Sequence, residues 1–408
     1  ELRVQAELED LRGELINSRK IGLKAMISME VIAETVQDSE GAVDIEDADQ
    51  VYVRKKDVDI SRLVFSGKDT LRVHDEWKVP GTKDAIGKIL YSEVRLGEME
   101  SRLAENELLI DGMAQVFVIY AGDGDPVELN CFDTTMPISG SIACNGCDAT
   151  MTAQVMPHLH SRDIEIKMDE DGEPRILDVE VVAGFDIKVF GQETLSLLTD
   201  FYSTKEVCTP VYEESQFENL IIQNKSKARI SGRIPTGNKT PLQIWNVSGE
   251  LRIDHKEIKD NMIVVEGAAE VNVLCYTGDS QILLTSFKGT VPFEHTIEAE
   301  GVTPESNVWM QGTLDQISAA PAGENELEIK AAATLEIIAF EKIELSIISG
   351  FDCHEIDWKA RSREPGMIGY VVQPGEGLWD IAKQFFTTEN DIIQVNHLEN
   401  ETVAEGDV

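Results

Sequence analysis

The segment Asn106-Glu107-Leu108-Leu109-Ile110-Asp111-Gly112 returns 155 residues later as Asn261-Met262-Ile263-Val264-Val265-Glu266-Gly267. The match spreads in both directions: Pro80 meets Pro235, Ile89 meets Ile244, Leu96 meets Leu251, Phe132 meets Phe287 and Pro137 meets Pro292. After a connection about five residues shorter in the later copy the offset becomes 150, and Phe190, Leu195 and Phe201 meet Phe340, Leu345 and Phe351. A partial third copy opens the chain, where Leu23 to Ala33 matches Ile329 to Ala339. A period of this length marks duplicated domains, because solenoid repeats run roughly 20 to 50 residues.

Within each copy the apolar residues alternate as they do in strands. Val116 and Val118 point one way and Phe117 and Ile119 the other, a Gly122-Asp123-Gly124-Asp125 turn follows, and Val127 to Phe132 returns. The later copy repeats this with Val271 and Val273, a Thr277-Gly278-Asp279 turn, and Ile282 to Phe287. Arg175 to Phe190 and Glu326 to Phe340 are long extended stretches behind acidic turns, Asp169-Glu170-Asp171-Gly172 and Gly323-Glu324-Asn325. None of these segments has a 3.6-residue period, so each copy is expected to be an antiparallel β-sandwich of Greek-key type.

Length and charge narrow the function. At 408 residues the chain holds several domains, and its 42% hydrophobic content is enough for sizeable cores. A net charge of −39 repels nucleic-acid phosphate and anionic lipid, so neither is an expected partner, whereas a basic protein is compatible. No run of 18 apolar residues occurs, so no membrane insertion is expected. The opening Glu-Leu-Arg-Val-Gln has neither an initiator Met nor an apolar leader, which reads as a fragment. Six cysteines spread over the chain do not read as a disulfide framework, and a reducing, cytoplasmic setting is expected.

The stretch from Tyr370 onward has a different design. Gly369 to Val372 is a short β run, Pro374-Gly375-Glu376-Gly377 a turn, and Leu378, Ile381, Ala382 and Phe385 recur at helical spacing. Thr387-Thr388 can cap a second helix carrying Ile392, Ile393 and Val395. With its G-E-G-L-W-D-I-A-K core and D-I-I-Q-V-N stretch, this unit resembles the LysM family. LysM modules bind chains of N-acetylglucosamine or have been adapted to bind protein, and the resemblance implies a groove between two loops. Carried over by position, that groove is Gly375, Glu376, Gly377, Leu378 and Trp379 on one side and Asn396, His397 and Leu398 on the other. Phe385 and Phe386 are adjacent on a helix, so one is expected in the small core and the other outside it. The unit stops at Gly406-Asp407-Val408, ahead of the second strand that closes a LysM sheet.

The repeat pattern also has a likeness. V-E-G or I-D-G followed by alternating apolar residues, a Tyr and a Gly-Asp turn, then F-x-x-x-x-P and later L-K-A-x-x-x-x-E-V-I-A, resembles the SPOCS domain of spore-coat proteins in Firmicutes. Tandem SPOCS copies followed by a LysM are similar to the SipL family of clostridial spore formers. That resemblance implies a non-enzymatic scaffold in the mother cell, at the forespore surface and spore coat. Its implied partners are a SpoIVA-like morphogenetic ATPase, reached through the LysM, and other coat proteins. The alternative is a cell-wall protein whose LysM holds peptidoglycan glycan.

No other motif carries chemistry. Gly232 to Thr240 approaches a P-loop, but it has one residue too many before Lys239-Thr240 and leads into a strand-like run instead of a helix. Cys144-Asn145-Gly146-Cys147 is half of a zinc or redox site with no second half, and Cys131, Cys208, Cys275 and Cys353 read as small apolar residues. His158 and His160 share a strand face without a diagnostic third ligand. The acidic turns do not have EF-hand spacing, and no metal or cofactor is expected. The fold class is therefore mainly β, tandem sandwiches plus a small α/β module. The expected domains are a truncated repeat at 1–60, repeats at 61–205 and 220–357, a basic Pro/Gly-containing linker at 358–369, and the LysM at 370–408.

Overall fold

A computed structural model describes the chain except for residues 1, 34, 36–40, 46–49, 238–240, 260, 279–281, 324, 358, 360–366 and 399–401. Most of the expected linker and the Lys239-Thr240 pair therefore lie outside the described residues. The chain divides into two compact units. The first comprises Glu1–Lys55, Leu197–Ser215 and Ser346–Val408, and the second Lys56–Ser196 and Gln216–Leu345.

The second unit contains the two complete copies. In the first copy β4 (Ile86–Ala104), β5 (Glu107–Gly122) and β6 (Leu129–Ala143) form one antiparallel sheet. The facing sheet has the order β3-β8-β7, from β3 (Val51–Lys78), β7 (Thr152–Met168) and β8 (Pro174–Ser203). The later copy repeats this with β10 (Gln243–Lys259), β11 (Met262–Tyr276) and β12 (Leu284–Glu298). Its facing sheet is β13-β14-β9, from β9 (Glu206–Pro235), β13 (Asn307–Pro321) and β14 (Glu326–Glu355). Each copy is thus a three-strand meander facing a second three-stranded sheet, and among the described residues no fourth strand returns beside the meander. This replaces the expected Greek key. Strand β3 runs unbroken across residue 60, and β9 is already a strand between 206 and 220.

Alternation explains the cores. Leu177, Val179, Val181, Ala183, Phe185, Ile187 and Val189 occupy every second position of β8, and each is at most 1% exposed. They pack against Leu108, Ile110, Val116, Val118 and Tyr120 of β5, and burying a side chain such as Phe185 contributes about 2 to 3 kcal/mol. Phe117 and Ile119, on the other face of β5, are also buried, so this strand is covered on both sides.

The turns repeat as faithfully as the strands. Asn106 and Asn261 both adopt the left-handed conformation, at φ 60° and 64°, which Asn tolerates better than most residues. The Asn106 carbonyl and side-chain oxygens accept from the Cys144 and Gly146 N–H groups, and Asn261 does the same for Ala299 and Gly301. The two copies also meet within this unit. Asn246 Nδ2 donates to Glu93 Oε2 at 2.7 Å, Lys227 pairs with Glu98 at 2.9 Å, and the matched rings of Phe190 and Phe340 lie 4.9 Å apart. A cavity of about 30 Å³ lined by Met99, Val155, Pro157 and Thr334 has room for roughly one water.

The first unit holds a junction of three matching segments. Residues 41–45, 197–201 and 347–351 occupy equivalent places in the partial and complete copies. The Ala42 N–H donates to Ile348 O at 3.2 Å and the Leu198 N–H to Ala42 O at 2.9 Å. Leu198, Phe201 and Ile348 are buried there, with Ala42 and Ile45 packed against them. A bond between Cys208 and Cys353 closes the cluster. This corrects the reading of these two cysteines as scattered apolar residues: they are 145 positions apart in the chain and adjacent only because the copies converge. The first unit also contains the hairpin of β1 (Leu2–Asn17) and β2 (Lys20–Ala33), and two helices near the end of the chain.

Candidate partner-binding site

The helical module is built on α1 (Leu378–Phe385) and α2 (Glu389–Asn396). The turn ahead of α1 is braced by Glu376, whose carboxylate accepts from the Tyr370 hydroxyl at 2.6 Å and the Gln373 N–H at 3.0 Å. That bond raises the Tyr370 pKa. Gly375 sits at φ +83°, and a Cβ there would meet nothing within 4 Å, so the backbone at this edge is open to solvent. The Asp380 carboxylate accepts from the Gly377 N–H at 2.9 Å, and Thr388 Oγ1 caps α2 by accepting from the Asp391 N–H at 3.0 Å. Phe386 and His397 close the two helices in the left-handed conformation.

Leu378, Ile381 and Ala382 form the buried stripe of α1, as their spacing predicts. Phe385 and Phe386 are both half-buried, where one inside and one outside had been expected. The Phe385 ring lies 5.3 Å from that of Tyr370. Gly406 and Asp407 exchange backbone hydrogen bonds with Val372 at 3.0 and 2.9 Å. The last residues thus lie where a closing strand would, which the sequence reading had placed beyond the unit.

Trp379 lies off the apolar stripe, and residues far away in the chain bury it. Its indole N–H donates to Asp200 Oδ2 at 2.8 Å, and Lys383 donates to Asp200 Oδ1 at 2.6 Å. The Tyr202 ring meets the indole edge-on at 4.9 Å, and the Arg54 guanidinium lies 5.0 Å from its centroid. Tyr52 and Ile392 complete the cluster. Burial works against the Asp200 charge, but the bonds from Lys383 and Trp379 outweigh it and hold the carboxyl below its ordinary pKa. Burial pushes the Tyr202 hydroxyl up to about 12, and this hydroxyl has no hydrogen-bond partner among the described residues.

Of the residues expected to line the groove, Gly375, Asn396 and His397 are exposed, Glu376, Gly377 and Leu398 are half-buried, and Leu378 and Trp379 are buried. The exposed ones belong to the turn before α1 and to the end of α2. Sequence reasoning missed Arg54, Asp200 and Tyr202. No local signal marks them, since Asp200 precedes Trp379 by 179 positions.

Elsewhere, two clusters of candidate metal ligands occur among the described residues, His74-Glu76-Asp178 and Glu206-Cys208-Cys353. In the first, Lys167 already bridges Glu76 and Asp178. In the second, the two sulfurs are bonded to each other. Cys144 and Cys147 are bonded and buried at the positions that Ala299 and Val302 fill in the later copy, which makes this C-x-x-C a packing feature of the turn. His158 and His160 are exposed, with rings 6.5 Å apart.

Against known families, residues 85–169 and 241–321 match the SipL, SPOCS domain, which places the matched segments over β4 to β7 and β10 to β13. Residues 370–408 match the LysM domain. Both families are non-catalytic binding modules. No curated protein and no solved structure matches the chain.

Proposed function

This is a tandem SPOCS protein of the SipL family with a C-terminal LysM domain, and from that premise we propose a non-enzymatic scaffold of spore morphogenesis. In this reading it docks through its LysM on a SpoIVA-like coat-basement ATPase and helps to place the coat around the forespore, on the mother-cell side. No helix among the described residues is long and apolar enough to cross a membrane.

The observation that carries the reading is the charge left on the LysM once Trp379 and Lys383 are engaged. Lys383 is the only lysine or arginine from Tyr370 onward, and Asp200 holds it. Asp380, Glu389, Asp391, Glu405 and Asp407 of the module are all exposed. Such a surface suits a partner rich in Lys and Arg and gives no attraction to the carboxylates of peptidoglycan stem peptides. Glycan remains the second reading because the open backbone at Gly375 could admit an acetamide group.

Sedimentation separates the two. The protein is mixed with purified peptidoglycan and, separately, with bead-bound SpoIVA at low and high salt. Retention on SpoIVA that weakens with salt, with none on peptidoglycan, supports the scaffold. The reverse pattern would establish a wall protein.

A further inference from the structure

The two cysteines that close the junction have a third group beside them. Cys208 of β9 and Cys353 of β14 stand on neighbouring strands with their Cα atoms 4.2 Å apart. Glu206 lies two positions before Cys208 on β9, and the two-residue period of a strand turns both side chains to one face. A carboxylate oxygen of Glu206 and the two sulfurs all lie within 4.8 Å of one another. Glu206 is exposed and both cysteines are half-buried, so the cluster opens to solvent.

Two comparisons give this cluster its character. His74, Glu76 and Asp178 lie equally close together, but Lys167 bridges two of them and neutralises their charge. Glu206 stands in no ion pair among the described residues, so its carboxylate is available to a cation. At the offsets of 155 and 150, the matching positions of the earlier copy are Val51, Val53 and Ser203. The fold of the repeat therefore does not require a carboxylate and two thiols here, and the set belongs to the later copy alone.

We infer that the reduced form of this cluster is a Zn²⁺ site, with Cys208, Cys353 and Glu206 as ligands and the fourth tetrahedral position left to water. Zinc takes thiolate and carboxylate ligands together, and thiolate sulfur selects it over Mg²⁺ and Ca²⁺, which take oxygen. Tetrahedral bonds of about 2.3 Å to sulfur and about 2.0 to 2.2 Å to oxygen put neighbouring ligand atoms roughly 3.5 to 3.8 Å apart, inside the 4.8 Å spread of the cluster. Entry to the reduced form needs a dithiol: two electrons and two protons pass from it to the Cys208–Cys353 bond, giving two thiols and the reductant's own disulfide. Zn²⁺ then displaces both thiol protons to solvent. Disulfide and metal are thus alternative clasps on the same two strand ends, one for an oxidising setting and one for a reducing one.

The test uses the 408-residue protein carrying Cys144→Ala and Cys147→Val, the residue types that the later copy holds at those turn positions, so that the other bonded pair cannot take metal. Reduced, freed of reductant under nitrogen and dialysed against Zn²⁺ or Co²⁺, it should retain one ion per chain and, with Co²⁺, show a thiolate-to-metal charge-transfer band. The oxidised protein should retain none. Cys353→Ser should abolish the band. Glu206→Gln, at an exposed position where the fold is indifferent, should keep the band and weaken Zn²⁺ binding at least about tenfold. The inference is overturned if the reduced protein binds no Zn²⁺, if binding survives oxidation or Cys353→Ser, or if Glu206→Gln leaves the affinity unchanged.

Discussion

The two sides of the LysM domain have opposite fates. On one side Trp379 and Lys383 are held by Asp200, Tyr202 and Arg54. By contrast, Gly375, Asn396 and His397 are exposed to solvent. The aromatic residue, which composition alone would nominate as a ligand contact, is a structural anchor. In the proposed reading, binding falls to the open backbone at Gly375 and to the acidic surface of the module. In a module this small a side chain serves either fixation or recognition, and its burial tells which.

Breaking the anchored side should have the largest effect. Trp379→Ala is expected to cost about 3 to 5 kcal/mol of local stability, read as faster hydrogen exchange in α1 and α2. Asp200→Asn keeps an acceptor for the indole but removes the charge opposite Lys383, for an expected loss of about 1 to 3 kcal/mol in the same measurement. The same carboxyl sets a pH dependence. Because its folded-state pKa is depressed, its stabilising contribution is complete above the ordinary carboxylate value of about 3.9 and is lost as pH falls through the folded-state value. The protection factor of α1, exchange corrected for its intrinsic pH dependence, should therefore be constant around neutrality and fall only below about pH 4 in the wild type, a fall that Asp200→Asn should flatten. Arg54→Ala removes one cation–π contact and should cost about 0.5 to 1 kcal/mol. On the open side Asn396→Lys should leave thermal stability within about 0.5 kcal/mol of wild type, and its effect should appear only in partner binding.

Much of the fold is written in the sequence because β patterning is local. The offsets of 155 and 150 located matching strands and turns, down to the left-handed Asn106 and Asn261. The match of Leu23–Ala33 to Ile329–Ala339 identified β2, and the bulge of its partner β1 then fell in the matching place. Chain topology was less legible, since alternation states that a strand has two faces and not which sheet it joins; the meander and the double burial of β5 came from packing. The Cys208–Cys353 bond and the anchoring of Trp379 were invisible for the same reason. Each joins segments more than a hundred residues apart. Leu378 carries two readings: its helical spacing marked it as core and the family likeness placed it at the groove, and its side chain is buried.

The account rests on the open LysM edge receiving a basic protein surface, and titration calorimetry tests this with two ligands and two proteins. Wild type and Asn396→Lys are each titrated with a SpoIVA-type ATPase and with chitohexaose. The predicted result is SpoIVA binding that Asn396→Lys weakens about tenfold or more, a change of about 1.4 kcal/mol, with no heat from the sugar in either protein. Saturable binding of chitohexaose together with SpoIVA affinity indifferent to Asn396→Lys would contradict it.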